Sequence, residues 1–375
     1  MQIVFWVSFW LLVYAYLAYP VLVWACARLF GREPRRAPVT PVVSLLIPAY
    51  NEEAHIEERL SNSLALDYPK DRLEIVVASD GSTDATNRIV AGFSSRGVRL
   101  IALPENIGKT AMLSHVIPQA RGEIVVLSDA STELAPDALS TLVRHFADPC
   151  VGCVSGLYRL RSTGDLRGEG EGLYWRYETF IKAQESRLHS ILGAHGAFYA
   201  IRKALFRPLP PGAINDDYLI PMRIVEQGYR AVYEPRAVAV ERELASVRGE
   251  FARRRRIAAG NCQQILELAG LLSPARGWVA FTLWSHKVLR TVAPMLLLLA
   301  LATTLALPAP HRWLMLLAQA LFYGSAWLGF VCQRRGASVR WLSPPLYFCL
   351  GNLAMLAGVV NFCVDRKSIR WERVR

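Results

Sequence analysis

The sequence predicts an α/β protein: an open, mostly parallel sheet with helices on both faces, accompanied by transmembrane and interfacial helices. Three observations predict it. Short β-branched runs alternate with helix-length stretches between residues 42 and 240. Residues 74–83 (EIVVASDGST) and 123–132 (EIVVLSDAST) are identical at eight of ten positions, and each ends an apolar strand on Ser-Asp. Residues 3–27, 291–310, 313–333 and 341–364 contain no charged side chain, and each run is long enough to cross a bilayer.

Residues 3–27 are too long and too aromatic for a cleaved signal and lack a basic start, so they read as a membrane helix. Arg28, Arg32, Arg35 and Arg36 follow; the positive-inside tendency places that end in the cytoplasm and the N-terminus outside. Pro34, Pro38 and Pro41 make a stiff linker. Residues 42–47 (VVSLLI) form a first buried strand, stopped by Pro48. A helix over 54–64, a strand over 75–78 and a helix to about residue 93 follow. A strand over 99–103 leads to Asn106, which opens a helix to about residue 120. The strand 124–127 is followed by a helix over 136–146 and a strand over 151–158. Residues 161–172 are polar and glycine-rich without a clear period, and read as a mobile loop. Residues 173–192 have helical spacing. Gly193 to Ala197 make a tight turn before a strand over 198–201. Asn215 opens a helix ending near Gly228, and short strands at 231–233 and 237–240 close the soluble part.

The segment after residue 253 is amphipathic through Ser285, breaks at Ser273-Pro274, and is punctuated by Arg276, Lys287 and Arg290. That pattern predicts a segment lying along the membrane surface. The expected units are a transmembrane helix over 1–30, a soluble α/β domain over 41–245, and an Arg-rich and interfacial segment over 246–290. C-terminal transmembrane helices over 291–365 and a basic tail over 366–375 complete them.

The chain has 375 residues, 53% of them hydrophobic, and a net charge of +12. Basic clusters at 28–36, 334–340 and 366–375 flank apolar runs and read as membrane-side anchors. No basic helix with interleaved aromatics supports nucleic acid as a partner. The seven cysteines show no disulfide pattern. Cys150 and Cys153 form a lone CxxC without a second pair or His, so they read as packing residues in a reduced compartment. Asp80 and Asp129 each end a strand where open α/β sheets bind ligands, so they are expected around one crevice.

Six motifs occur in one order: Pro48-Ala49-Tyr50-Asn51-Glu52-Glu53, Ser79-Asp80-Gly81-Ser82-Thr83-Asp84, Asn106-Ile107-Gly108-Lys109, Asp129-Ala130-Ser131, Asn215-Asp216-Asp217, and four arginines at 253–256. The order resembles the family 2 glycosyltransferases, in particular the membrane-bound branch of cellulose, chitin, hyaluronan and poly-N-acetylglucosamine synthases. The resemblance covers roughly residues 42–264 and implies a GT-A-like fold. It also implies donor contacts from Ala49, Tyr50, Glu52, Asp80 and Lys109, and a divalent cation, Mg²⁺ or Mn²⁺, at Asp129. A hard cation of this kind takes oxygen ligands and bridges a diphosphate. Ser131 stands where the family usually has a second carboxylate, which makes it a weaker ligand. Asp217 matches the general base of an inverting displacement, with Asp216 beside it. Arg256 matches the arginine of the family's Gln-x-x-Arg-Trp box, while Arg253 and Ile257 replace its Gln and Trp. His195 lies in a region the family uses near the acceptor. Trp371 and Arg375 resemble a tail motif of some relatives.

The resemblance implies a membrane-embedded enzyme that moves a sugar from a nucleoside diphosphate, expected to be a UDP-sugar, to a growing polysaccharide. The alternatives are transfer of one sugar to a polyprenyl- or other lipid-linked acceptor, favoured by the altered arginine box, and a catalytically silent scaffold, suggested only by Ser131. The expected place is the bacterial inner membrane with the catalytic domain cytoplasmic. Three crossings after that domain would leave the basic tail outside, against its charge. Pro344-Pro345, Gly351 and Gly358 therefore suggest a re-entrant turn in the last segment.

Overall fold

A computed structural model describes residues 1–160, 167–241, 247–335, 337 and 339–364. One eight-stranded sheet has the order β3-β2-β1-β4-β7-β6-β8-β5. Its parallel half is β1 (Val43–Ala49), β2 (Leu73–Asp80), β3 (Val98–Leu103) and β4 (Ile124–Leu127). The other strands are β5 (Thr132–Leu134), β6 (Val151–Leu160), β7 (Tyr199–Arg202) and β8 (Arg230–Glu241). Here β6 runs parallel to β8, while β7 is antiparallel to β4 and β6, and β5 is antiparallel to β8. The sheet is thus mixed beyond β4.

Both faces of the sheet are covered. On β1, Leu46 packs into one apolar cluster with Met112, Leu113 and Ile220, whereas Val43, Leu45 and Ile47 enter another with Ile56, Leu60 and Leu139. Strands buried on both faces read as continuous apolar runs, which is why β1, β2 and β4 were visible in the sequence. The two segments at 231–233 and 237–240 are one strand, β8, with a register shift opposite Gly156 and Leu157. The turn residues Glu234 to Arg236 had hidden that continuity. The three-residue β5 carries too few residues for any period.

The helix Arg167–Leu188 replaces the expected loop over 167–172, and residues 161–166 lie outside the described ones. Among the described residues, four helices are long and apolar enough to cross a membrane: Gln2–Phe30, Trp278–Ala306, Ala309–Arg334 and Arg340–Val364. The second begins at Trp278 rather than at residue 291, so residues 278–285 continue a long helix instead of ending a surface-lying segment. Lys287 and Arg290 had masked this, and both now face the soluble domain. The last helix, Ser343–Val364, is continuous, with no re-entrant turn; its prolines sit in the first turn, where no N–H is needed. Gly358 lets it approach the Arg-rich helix Val247–Glu267: a Cβ there would lie 2.4 Å from the Cβ of Ala258. The tail with Trp371 and Arg375 lies outside the described residues.

Outward-facing Leu17, Leu298, Leu317, Trp313 and Trp327 are exposed on these helices, as a lipid contact requires. Tyr19, Val23 and Ala27 pack instead on Ile181 and Leu188, tying the first helix to the sheet domain.

Candidate active site

The strand order reverses between β1 and β4, and open sheets bind ligands at the carboxyl ends beside such a point. β1 ends at Ala49, and Tyr50, Asn51 and Glu52 continue over that edge. The loop after β2 clamps them: Asn51 N donates to Ser82 Oγ at 3.1 Å, Thr83 N to Asn51 Oδ1 at 2.8 Å, and Glu52 N to Thr86 Oγ1 at 2.8 Å. Asn51 takes the left-handed conformation, φ 54°, which its short polar side chain tolerates.

Asp80 is buried, and its two oxygens accept the backbone N–H groups of Ile107 and Gly108, both at 2.9 Å. Burial raises its proton affinity, and the two N–H groups partly offset that. Its carboxylate therefore shapes the loop that launches the helix Lys109–Val116. Lys109 is the first residue of that helix. Its Nζ lies 2.9 Å from Asp129 Oδ1 and 3.7 Å from Asp216 Oδ2. Burial works against the charge on Lys109, but Asp129 and Asp216 outweigh it and raise its proton affinity. The motif after β3, the motif after β4 and the carboxylate pair that opens the helix Asp216–Glu226 thus meet at one ammonium.

Asp217 is placed by its backbone. Ala194 N donates to Asp217 O at 2.7 Å, joining the Gly193 to Ala197 turn to the start of the helix Asp216–Glu226. Gly193 adopts φ 84° and packs on Tyr218, so the turn needs glycine there. Asp217's proton affinity is raised by burial first and by Asp216 second, while Lys109 and Lys182 lower it. A carboxylate so placed can act as a base nearer neutral pH than an ordinary aspartate. Arg256, on the helix Val247–Glu267, is depressed by burial and supported by Asp217 and Asp216. That helix is fixed against the site by Asn215 Nδ2 donating to Ile257 O at 3.3 Å and by Ile214 N donating to Gln263 Oε1 at 3.1 Å. Arg253 bonds the hydroxyl of Tyr158. His195 is stacked among Tyr158, Trp175 and Tyr233, and burial followed by Lys182 holds it neutral.

Asp129, Lys109, Asp216, Asp217 and Arg256 are therefore one cluster. Ala49, Tyr50, Glu52 and Asp80 line the same edge towards β2, and His195 and Arg253 lie on the β6 side. No group of three acidic, histidine or cysteine side chains that could enclose a metal occurs among the described residues. The oxygens present still fit a cation that shares a diphosphate. Asp129 has a second oxygen beyond the one facing Lys109, and the Ser131 hydroxyl has no protein partner among the described residues.

Sequence reading missed several site residues. Arg59 is buried beside Asp129, lowered to about 10 by burial and partly restored by that carboxylate. Its Nε and Nη2 lack partners among the described residues. Only its position on a helical face that should be apolar could have flagged it. Glu178, Glu185, His286 and Arg290 form a second polar group under the site: His286 Nδ1 lies 2.7 Å from Glu185 Oε1 and Arg290 pairs with Glu178. The charges at 286–290 ahead of an uncharged run were its signal.

Residues 44–209 match the model of Glycosyl transferase family 2. The chain is 28% identical over 230 residues to the poly-beta-1,6-N-acetyl-D-glucosamine synthase of Staphylococcus epidermidis, over 60% of this chain and 55% of that protein. It is 29% identical to the synthase of the same name from Staphylococcus aureus (strain COL), with the same coverage. The chain spans about half the length of the curated relatives it matches. Among solved structures it is similar to the mannosyltransferase PcManGT from Pyrobaculum calidifontis in complex with GDP-Man and Mn²⁺. That likeness has 26% identity and a TM-score of 0.74, and covers 97% of this chain and 100% of the other.

Proposed function

We propose that the chain is a family 2 glycosyltransferase, matching that family's model over residues 44–209, and that it moves a sugar from a nucleoside diphosphate to an acceptor hydroxyl at the bilayer surface. The observation that carries this reading is the meeting of Asp129, Asp216 and Lys109 beside Asp217, at a sheet edge that adjoins apolar helices.

In this reading Ala49, Tyr50 and Glu52 line the base and ribose, and Asp80 holds the loop that aims Lys109. Asp129 and Ser131 would hold a divalent cation, which supplies charge neutralisation on the departing diphosphate. Lys109 and Arg256 orient the diphosphate. Asp217 takes the proton from the acceptor hydroxyl as its oxygen attacks the anomeric carbon, so the product is inverted. His195, held neutral in its aromatic surround, faces the acceptor side.

Two acceptors are supported by different observations. The relatives named as synthases favour extension of a polysaccharide. The likeness along the whole chain to a mannosyltransferase fits transfer of a single sugar, and Ile257 in place of the box tryptophan argues against a long glucan-like acceptor, which leaves a lipid-linked one. Full-length protein in nanodiscs, screened with UDP- and GDP-sugars and Mg²⁺ or Mn²⁺, tests the reading. Turnover that disappears in Asp217→Asn is expected. Absence of turnover with every donor, or turnover indifferent to that substitution, overturns it. A ladder of products identifies the polymer, and a single added sugar identifies the lipid-linked acceptor.

A further inference from the structure

Two lysines beside the base are used by nothing above. Lys182 lies on the helix Arg167–Leu188 and Lys287 on the membrane helix Trp278–Ala306. Lys182 Nζ reaches one acceptor, the carbonyl of Gly193, at 3.3 Å. Lys287 Nζ sits 4.8 Å from the ring centroid of Tyr218. Gly193 and Tyr218 touch each other, and Ala194 and Tyr218 flank the backbone contact that fixes Asp217. The two ammoniums therefore converge on the junction behind the base, from opposite elements.

Their nearest carboxylates are already taken. Glu178 is held by Arg290 and lies 3.4 Å from His286 Nε2. Glu185 accepts from Tyr19 Oη at 2.6 Å and lies 2.7 Å from His286 Nδ1. Neither lysine forms an ion pair within 4.0 Å among the described residues. An ammonium carries three donors, and partly buried cations facing each other without a direct counter-ion are costly. Lys182 registers that cost: burial, then Lys287, lower its proton affinity to about 8. The backbone around Lys287 is also unusual. Residues Leu283–Val288 form a π-helical turn, and the first helix has its own at Tyr14–Ala18. The two are joined by Tyr14 Oη and Ser285 Oγ at 2.8 Å. Such turns are rare and concentrate at functional sites, where they re-aim side chains.

We propose that Lys182 and Lys287 form an anion subsite that holds a phosphate or carboxylate of the acceptor close to the hydroxyl activated by Asp217. This rests on the transferase reading above. Donor-side cations, Lys109 and Arg256, face Asp129 and Asp216; the lysine pair instead meets the Gly193 and Tyr218 junction behind the base, and Lys287 comes to it from a long apolar helix. The lysines hold charge and move no proton. The acceptor oxygen forms the new bond to the anomeric carbon, the bond to the diphosphate breaks, and Asp217 takes the hydroxyl proton. Because Lys287 belongs to a membrane helix, a phosphate at the lipid surface fits better than an acidic sugar of a soluble polymer.

The test uses full-length protein in nanodiscs with three acceptors: a polyprenyl diphosphate sugar, the uncharged alkyl glycoside of the same sugar, and a soluble uronate-terminated oligosaccharide. A lower KM for a charged acceptor is expected, with Lys182→Gln or Lys287→Gln raising it about 10- to 100-fold, the weight of a charge-assisted hydrogen bond. Lys182→Arg and Lys287→Arg should recover part of that loss. Nucleotide-sugar affinity, measured by calorimetry, reports whether each variant is folded. Preference for the polyprenyl diphosphate identifies the lipid source, and preference for the uronate identifies the acidic sugar; either supports the subsite. Equal KM for charged and neutral acceptors, or glutamine variants that weaken both alike, overturns it while leaving the transferase reading intact. Failure of the unmodified chain to bind any nucleotide sugar overturns both.

Discussion

Gly196→Ala tests whether Asp217 is the working base without touching Asp217 itself. A Cβ added at Gly196 would lie 3.0 Å from Asp217 Oδ2 and 3.4 Å from its Cβ and Cγ. Gly196 has no positive φ, so alanine fits the backbone and only the contact matters. The carboxylate must then yield by a few tenths of an ångström. A misplacement of about 1 Å in a reacting group costs about 100-fold, so a shift of this size should lower kcat about 3- to 10-fold, or ~1 kcal/mol. Donor affinity should hold, because the contacts around Asp129 and Lys109 are not displaced. The assay is steady-state transfer with a labelled nucleotide sugar, beside a calorimetric donor titration. Gly324→Ala is the control: nothing lies within 4 Å of its added Cβ, and no change is expected. An unaltered kcat in Gly196→Ala, or a kcat loss matched by an equal loss of donor affinity, would refute the placement of the base.

Asp217→Asn should cut transfer about 10²- to 10⁴-fold, the range of general base catalysis, with donor binding retained in the same titration. Asp217's proton affinity is raised by burial and Asp216, and a base works deprotonated, so the rate should fall as pH drops through that raised value. A pH–rate profile of Asp216→Asn should show the acid limb moved to lower pH. Lys109→Met should move the limb the other way, because Lys109 now favours the carboxylate. Asp80→Asn leaves one acceptor for the two N–H groups of Ile107 and Gly108, a cost of about 1–3 kcal/mol. Its thermal midpoint should fall and donor binding should weaken together; a drop in neither would remove its loop-shaping role.

What was legible in the sequence was whatever repeats or runs. The strands β1, β2 and β4 are buried on both faces over unbroken apolar stretches, and β3, though only partly buried, carries its own apolar run after Arg99, so they stood out. The paired Ser-Asp endings marked the edge where Asp129 and Lys109 now meet at 2.9 Å. Contacts between distant segments were not legible. Nothing local in Asp80 distinguishes a ligand contact from a carboxylate spent on two backbone N–H groups. Arg59 lies on a helix whose buried face also holds Ile56, Leu60 and Ser63, so its burial beside Asp129 depends on a strand met some seventy residues later. The start of the second long apolar helix was hidden for a related reason. Lys287 and Arg290 argue against a membrane interior only until Glu178, Tyr177 and Tyr218 are known to meet them.

Charge balance links the two substrates. Around the donor edge, the carboxylates Asp129, Asp216 and Asp217 are matched by Lys109, Arg59 and Arg256. Without substrate, that edge is close to neutral, with cations already committed to carboxylates. A donor diphosphate therefore arrives with negative charge that the protein alone does not offset. A divalent cation held by Asp129 would supply that balance, and the uncharged Ser131 adds no negative charge to oppose the donor. Behind the base the balance runs the other way. Glu178 and Glu185 are taken up by Arg290, His286 and Tyr19, and Lys182 and Lys287 keep charge without an ion-pair partner among the described residues. A neutral acceptor would leave that imbalance in place through every turnover. An anionic one removes it when it binds and restores it when the product leaves, which couples acceptor occupancy to the electrostatics around Asp217.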